Sequence, residues 1–121
     1  MARARILVVD DSPTELSLIS APLLATGYEV ITASDGEEAI AKAASERPDV
    51  ILLDVVLPRQ NGFQVCRTLK RSVESGHIPV IMLTSKSQPS DRFWGLKQGA
   101  DEYVTKPFQA EALVSSIQRF I

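Results

Sequence analysis

The sequence predicts an α/β fold: a five-stranded parallel sheet covered by helices on both faces. Short apolar runs alternate with longer segments whose apolar residues recur every three or four positions, and five such strand–helix pairs follow one another. The runs at 6–9 and Val50–Leu53 are apolar throughout, which is typical of strands buried on both faces. The 121 residues suffice for one core, so we expect residues 1–121 to form a single domain.

The first helix follows the strand at 6–9. Ser12 and Glu15 have the spacing of a capping box, and Pro13 occupies the first helical position, where its missing N–H costs nothing. Gly27 is expected to end this helix. Pro22 breaks a local rule, because a proline inside a helix removes one backbone hydrogen bond and costs about 3 kcal/mol unless a kink accommodates it.

The later elements follow the same alternation. Ser34 and Glu37 predict the start of the second helix, which ends before Pro48. The remaining strands are expected at Glu29–Ala33, Val50–Leu53, 80–83 and around 103–104, and the remaining helices around Phe63, Cys66 and Leu69, over 90–98, and along 113–121. On the third helix we interpret Cys66 as a small buried hydrophobic residue.

Composition excludes several classes of protein. The net charge is −2, which argues against nucleic acid as a main partner because phosphate binding needs a basic surface. No apolar run approaches the roughly 20 residues of a membrane helix, and no secretory signal is visible. The single cysteine, Cys66, cannot form an internal disulfide. We therefore expect a cytoplasmic protein without a membrane partner.

Polar residues follow four of the predicted strands, and the carboxyl ends of parallel strands form the ligand-binding edge of such a sheet. Each residue alone would be interpreted as a turn, a cap or a surface group, but together they indicate a site. Clustered carboxylates suit Mg²⁺, an aspartate can act as a nucleophile that forms an acyl phosphate, and a hydroxyl and a lysine can bind phosphoryl oxygens. These residues are Asp10, Asp11, Asp54, Thr84, Ser85 and Lys106.

These residues and their spacing resemble the response-regulator receiver domain of two-component signalling. The resemblance covers the whole chain and includes residues 55–58 with Gly62 after Asp54, and residues 99–103 before the Lys106-Pro107 pair. It implies the CheY-like, or flavodoxin-like, strand order 2-1-3-4-5.

The resemblance also implies a role for each site residue. Asp54 is the expected phosphoacceptor for a histidine kinase, acting with Mg²⁺. Thr84, Ser85 and Lys106 are expected to bind the phosphoryl group, and the Lys106–Pro107 bond is expected to be cis. Tyr103 matches the switch aromatic, which turns inward when Thr84 is drawn to the phosphate. The expected metal ligands are Asp10, Asp11, Asp54 and the backbone carbonyl of Val56.

Within this family the chain resembles stand-alone CheY-like regulators. Residues 93–100 and 11–15 are similar to PilH-type regulators, which control pili through chemosensory systems. We expect a switch whose only chemistry is self-phosphotransfer and autodephosphorylation, with a downstream protein bound near Trp94 and Tyr103 through the fourth helix, fifth strand and fifth helix. Trp94 is equally compatible with core packing. A phosphate sink for a shared kinase and a receiver excised from a longer regulator are alternatives.

Other functional classes fit less well. A phosphatase of the haloacid-dehalogenase type would need an acid where Val56 stands, and a flavodoxin-like redox carrier would need a Ser/Thr/Gly-rich loop in place of residues 10–13. A degenerate receiver would lack part of the site. Val56 and Lys86 depart from the pattern of chemotaxis receivers, and both flank the expected path of the hydrolytic water, so we predict an unusual phosphoryl lifetime.

Overall fold

The structure, a computed structural model, describes residues 3–121. Its strands form one parallel sheet in the order β2-β1-β3-β4-β5, which confirms the predicted fold and strand order. The elements in chain order are β1 (Arg5–Val9), α1 (Pro13–Thr26), β2 (Glu29–Ala33), α2 (Gly36–Glu46), β3 (Val50–Leu53), α3 (Gly62–Arg71), β4 (Val80–Thr84), α4 (Pro89–Lys97), β5 (Glu102–Thr105) and α5 (Ala110–Gln118).

Side chains of the central strands alternate between two cores, one on each face of the sheet. Leu7, Ile51 and Met82 point to the face covered by α2, α3 and α4, whereas Ile6 and Leu52 point to the face covered by α1 and α5. All five are buried. Burial on both faces explains why these strands are apolar apart from Arg5 at the start of β1 and Thr84 at the end of β4.

The cap predicted for the first helix forms only in part. The Ser12 side chain accepts a hydrogen bond from the Glu15 N–H at 3.3 Å, as a capping box requires. The Glu15 carboxylate, however, contacts Lys106 at 3.0 Å. An ammonium group carries a full charge, so it is a stronger partner for the carboxylate than a backbone N–H.

The cap predicted for the second helix is wrong by one residue. Asp35 caps α2 by accepting from the Glu38 N–H at 2.8 Å, and the Glu38 carboxylate accepts from the Ser34 N–H at 2.7 Å. The two bonds form a reciprocal box one position later than Ser34 and Glu37 suggested. The carboxylate of Asp35 interacts well with the positive end of the helix dipole.

Helix α1 continues through Pro22. The Leu18 carbonyl, which would pair with a residue-22 N–H, belongs to a residue that is 57% exposed, so loss of that bond is less costly than in a buried turn. At the other end of the chain, α5 ends at Gln118 rather than at the predicted residue 121, and Ile121 is 57% exposed. Among residues 3–121, no helix has the length and apolar character needed to cross a bilayer.

Candidate functional site

The carboxyl ends of the strands bring the predicted site residues together. Val9 pairs with Leu53 in the sheet, so Asp10 and Asp54 leave neighbouring strands side by side, and the Asp54 N–H donates to the Val9 carbonyl at 3.1 Å. The order of the strands reverses between β1 and β3, which is the switch point where doubly wound sheets bind ligands.

The ammonium group of Lys106 lies among three carboxylates. Its Nζ atom is 2.7 Å from Asp10 Oδ2, 3.1 Å from Asp54 Oδ2 and 3.0 Å from Glu15 Oε1. The lysine side chain is 13% exposed, so solvent screens these contacts less than it would at the surface. The Lys106–Pro107 peptide bond is cis, as the resemblance implied.

The charges in this cluster alter each other's ionisation. Burial raises the pKa of Asp10, although the hydrogen bond from Lys106 opposes that change. Burial alone would lower the pKa of Lys106, but the hydrogen bonds to Asp10 and Glu15 and the charge of Asp54 outweigh it and hold that pKa above its usual value. Lys106 therefore remains a cation throughout the physiological pH range.

In both buried aspartates, Asp10 and Asp54, one carboxylate oxygen accepts from a backbone N–H of the following loop and the other accepts from Lys106. Oδ1 of Asp10 accepts from the Ser12 N–H at 3.0 Å, and Oδ1 of Asp54 accepts from the Val56 N–H at 3.0 Å. Gly62 closes the loop after β3, because a Cβ atom at that position would lie 2.2 Å from the Asp54 carbonyl oxygen. The loops thus orient both carboxylates toward Lys106.

A cavity of about 790 Å³ opens at this cluster. Its polar end contains the carboxylates and the lysine, and its wall continues along apolar side chains of α1 and of the segment after β5. Thr84 does not line this cavity: it is fully buried, and its hydroxyl oxygen accepts from the Lys86 N–H at 3.3 Å. The lining residues include Asp10, Asp11, Asp54, Val56, Ser85, Lys106, Leu18, Pro22 and Phe108.

The donor set fits a hard divalent cation. Asp10, Asp11 and Asp54 line the same cavity as Val56, and carboxylate and carbonyl oxygens are the ligands that Mg²⁺ prefers. Within residues 3–121, however, no three ligating side chains are grouped as a ready-made metal site. The Lys106 ammonium already neutralises two of the carboxylates, so a metal ion would have to share them with it.

Tyr103 lies behind the site with its ring directed inward. It is 3% exposed, and its hydroxyl donates to the Lys86 carbonyl at 2.6 Å. Burial raises the pKa of Tyr103 to about 12, so the phenol stays protonated and able to donate. A Cβ atom on Gly95 of α4 would lie 2.8 Å from the tyrosine ring, so the ring and α4 constrain each other. Trp94 is 54% exposed and is not a core residue.

Sequence reasoning placed most of the cluster but missed two contributors. Glu15 was interpreted as a helix cap, whereas its carboxylate contacts Lys106. Its position in the first turn of α1 was a signal for that role, because this turn directly follows the carboxyl end of β1. Phe108 was not among the predicted site residues, but it lines the cavity.

The fold and the site together define a doubly wound α/β domain with an aspartate- and lysine-containing cleft at its switch point. The chain belongs to the response regulator receiver domain family, whose model matches residues 6–118. It is thus a signalling domain of two-component systems. Protein PilH of Pseudomonas aeruginosa is 47% identical over 114 residues, which are 94% of each chain.

A longer protein and a solved structure are also similar to this chain over nearly its whole length. The alkaline phosphatase synthesis transcriptional regulatory protein PhoP of Bacillus subtilis is 47% identical over 95% of this chain, but the match spans only 48% of that protein. Chemotaxis protein CheY4 of Vibrio cholerae has a TM-score of 0.92 at 38% identity, with 99% of this chain and 100% of that chain covered.

The receiver domain of a Pseudomonas aeruginosa sensor histidine kinase has a TM-score of 0.91 at 34% identity, with 98% of each chain covered, and was solved with magnesium coordinated in its active-site cleft.

Proposed function

We propose that residues 1–121 form one receiver domain in which Asp54 accepts a phosphoryl group from a histidine kinase. The observation that carries this proposal is the contact of Lys106 Nζ with Asp54 Oδ2 at 3.1 Å at the mouth of the cavity. An Asp54 oxygen attacks phosphorus, the phosphorus–nitrogen bond of the donor histidine breaks, and the imidazole leaves with the electron pair. The positive charge of Lys106 stabilises the negative charge on the phosphoryl oxygens during the transfer.

Other residues of the cavity complete the proposed site. Asp10, Asp11, Asp54 and the Val56 carbonyl would hold Mg²⁺, which supplies charge neutralisation for the transferring group. Ser85 lines the cavity, where its hydroxyl would donate to a phosphoryl oxygen. Thr84 is buried behind it and must turn its hydroxyl toward the site. The protein acts on itself, so its activity is that of a switch.

The proposal is tested by intact mass after incubation with Mg²⁺ and acetyl phosphate. We expect the wild-type protein to gain one phosphoryl group, and we expect Asp54→Ala and a sample with EDTA to gain none. Asp101→Ala is a matched control, because this aspartate pairs with Lys70 away from the cavity, and it should be labelled like the wild type. Equal labelling of Asp54→Ala and wild type would contradict the proposal.

We further propose that the output surface is formed by α4, β5 and α5. The inward Tyr103 ring contacts Gly95, and the Arg92 guanidinium donates to the Tyr103 carbonyl at 3.1 Å. A change at Thr84 would reach this surface through the Lys86 carbonyl, which accepts the tyrosine hydroxyl. Phosphorylation would then shift the population of Tyr103 and α4 positions.

The similarity to PilH and CheY4 supports a role in pilus-driven twitching motility or chemotaxis. The partners proposed are a histidine kinase and a downstream protein, with no nucleic acid or membrane partner. A cytoplasmic location agrees with the single, buried Cys66. Deletion of the gene should impair surface motility, and restoration by wild type but not by Asp54→Ala would support the assignment. Restoration by both would contradict it.

A further inference from the structure

A groove between α3 and α4 combines positive charge with an exposed aromatic ring. Its volume is about 320 Å³, at the lower end of the roughly 300–1,000 Å³ of small-molecule sites. It shares no lining residue with the cavity at Asp54. The groove is lined by Arg67, Lys70, Arg71, Trp94, Lys97 and Gln98.

Three of the cations are available to a ligand. Arg67, Arg71 and Lys97 are exposed, and none of them is within ion-pair distance of a carboxylate among residues 3–121. Lys70 is different: it pairs with Asp101 at 3.1 Å and donates to the Ile78 carbonyl. Helix α3 contains no acidic residue, although the chain as a whole has a net charge of −2. The groove is therefore a local concentration of positive charge.

The aromatic part of the groove is Trp94, whose ring contacts one other aromatic ring. Trp94 is 54% exposed, and its ring meets Phe93 edge to face, with centroids 5.8 Å apart and an interplanar angle of 79°. Such contact restricts the indole while leaving about half of it accessible. A restrained and accessible indole is a good stacking platform for a planar ring.

We propose that this groove binds a nucleotide carrying two or more phosphates. Arg67 and Arg71 are four residues apart on α3, so they extend from one face of the helix, and guanidinium groups bind phosphate oxygens through paired hydrogen bonds. Lys97 adds charge from α4, and the base stacks on Trp94. The short groove favours such a compact ligand over an acidic polypeptide, which would need a longer row of cations.

The tryptophan provides a direct readout. Trp94 is the only tryptophan in the chain, so its fluorescence, excited at a wavelength where nucleotides do not absorb, reports binding at the groove. ADP and GDP are titrated separately in EDTA, so that no metal ion can recruit them to the acidic cavity. We expect saturable quenching by one or both nucleotides, and the same affinity for Asp54→Ala, because the two sites share no residue.

Matched variants assign the binding to the groove. The double variant Arg67→Gln, Arg71→Gln should bind at least about tenfold more weakly, a change of about 1.4 kcal/mol. Arg47→Gln, at an exposed position after α2, should bind like wild type. In calorimetry, Trp94→Leu should weaken nucleotide binding but leave the affinity for inorganic diphosphate unchanged, since diphosphate has no ring to stack.

Three results would overturn the proposal. One is the absence of saturable quenching by either nucleotide at concentrations up to about 1 mM. A dissociation constant of about 1 mM corresponds to a binding free energy of about 4 kcal/mol. Another is nucleotide affinity that the double arginine variant leaves unchanged. The third is tighter binding of a hexaglutamate peptide than of both nucleotides, which would make the groove a docking site for an acidic protein segment.

Discussion

The ammonium nitrogen of Lys106 lies 3.1 Å from a carboxylate oxygen of Asp54, although the two residues are 52 positions apart in the chain. Asp54 follows β3 and Lys106 follows β5, so the lysine side chain reaches across the end of the intervening strand β4. The contact places a permanent positive charge beside the proposed phosphoacceptor. It also offsets the repulsion between Asp54 and Asp10, whose carboxylate touches the same ammonium group.

Removing the positive charge should destabilise the domain. We expect Lys106→Met to lower the free energy of unfolding at pH 7 by about 2 kcal/mol, since it leaves buried carboxylates without their partner. Mg²⁺ should restore part of this loss by binding the same oxygens, and urea denaturation with and without the ion measures both effects. Lys86→Met, at an exposed lysine outside the ion cluster, should change stability by less than about 0.5 kcal/mol. Equal stability of the two variants would refute the importance of the cluster.

Val56 and Lys86 should set the lifetime of the phosphoryl group. Val56 lines the cavity and is 49% exposed, but its side chain cannot hydrogen-bond an attacking water. We expect the double variant Val56→Asn, Lys86→Glu to speed dephosphorylation by about tenfold, which corresponds to about 1.4 kcal/mol of the barrier. The decay of the phosphorylated mass with time gives the rate, and an unchanged rate would show that these positions do not control hydrolysis.

Gly95 should be needed for the inward position of Tyr103. A Cβ atom at this position would lie 2.8 Å from the tyrosine ring, so Gly95→Ala must displace the ring or α4. We expect loss of the hydrogen bond to the Lys86 carbonyl and a large shift of the Tyr103 ring signals in NMR spectra. Gly27→Ala is the control, because its Cβ would meet nothing within 4 Å and would introduce only backbone strain. Unmoved ring signals in Gly95→Ala would contradict the packing described.

Cys66 should be unreactive in the folded protein. The side chain is fully buried, and burial raises the pKa of its thiol from 9.0 to about 11, so at pH 8 the thiolate fraction is about a hundredfold below that of the unfolded chain. We expect an aromatic disulfide reagent to modify Cys66 at least about a hundredfold faster in urea than in buffer. Similar rates in the two solvents would show that the α3 face opens readily.

The same shift affects stability at alkaline pH. The folded state holds the thiol proton more tightly than the unfolded chain, so this contribution is complete below a pH of about 9 and is lost as the pH rises toward 11. Tyr103, whose pKa is raised to about 12, acts in the same direction at higher pH. The unfolding free energy of Cys66→Ala should therefore fall less steeply over this range than that of the wild type, and parallel curves would contradict the assignment.

The strands and the strand-end residues were predictable from the sequence because both depend on local patterns. A run such as Val50–Leu53 reports burial on two faces, and a polar residue directly after it, such as Asp54, must lie at the edge of the sheet. The parallel arrangement then brings these residues together. The family resemblance supplied the strand order and the cis bond before Pro107.

Which of several possible partners a polar side chain binds was not predictable from local sequence patterns. Glu15 fits a cap within its own helix, and only the three-dimensional position of Lys106 shows that its carboxylate has a charged partner. At α2 two adjacent caps were possible, and Asp35 displaced Ser34 because Glu38 completes the reciprocal bonds. The accessibility of Trp94 likewise depends on how α4 packs, since its own helix has no strong apolar face.

The proposed phosphoacceptor is Asp54 rather than a neighbouring carboxylate, and the site of modification can be located directly. Protein phosphorylated with acetyl phosphate and Mg²⁺ is reduced with borohydride, which converts the acyl phosphate to an alcohol, and tandem mass spectrometry then locates the altered residue. We expect the modification to lie at Asp54 and to be suppressed in Lys106→Met. A modification at Asp10 or Asp11, with Asp54 unaltered, would contradict it.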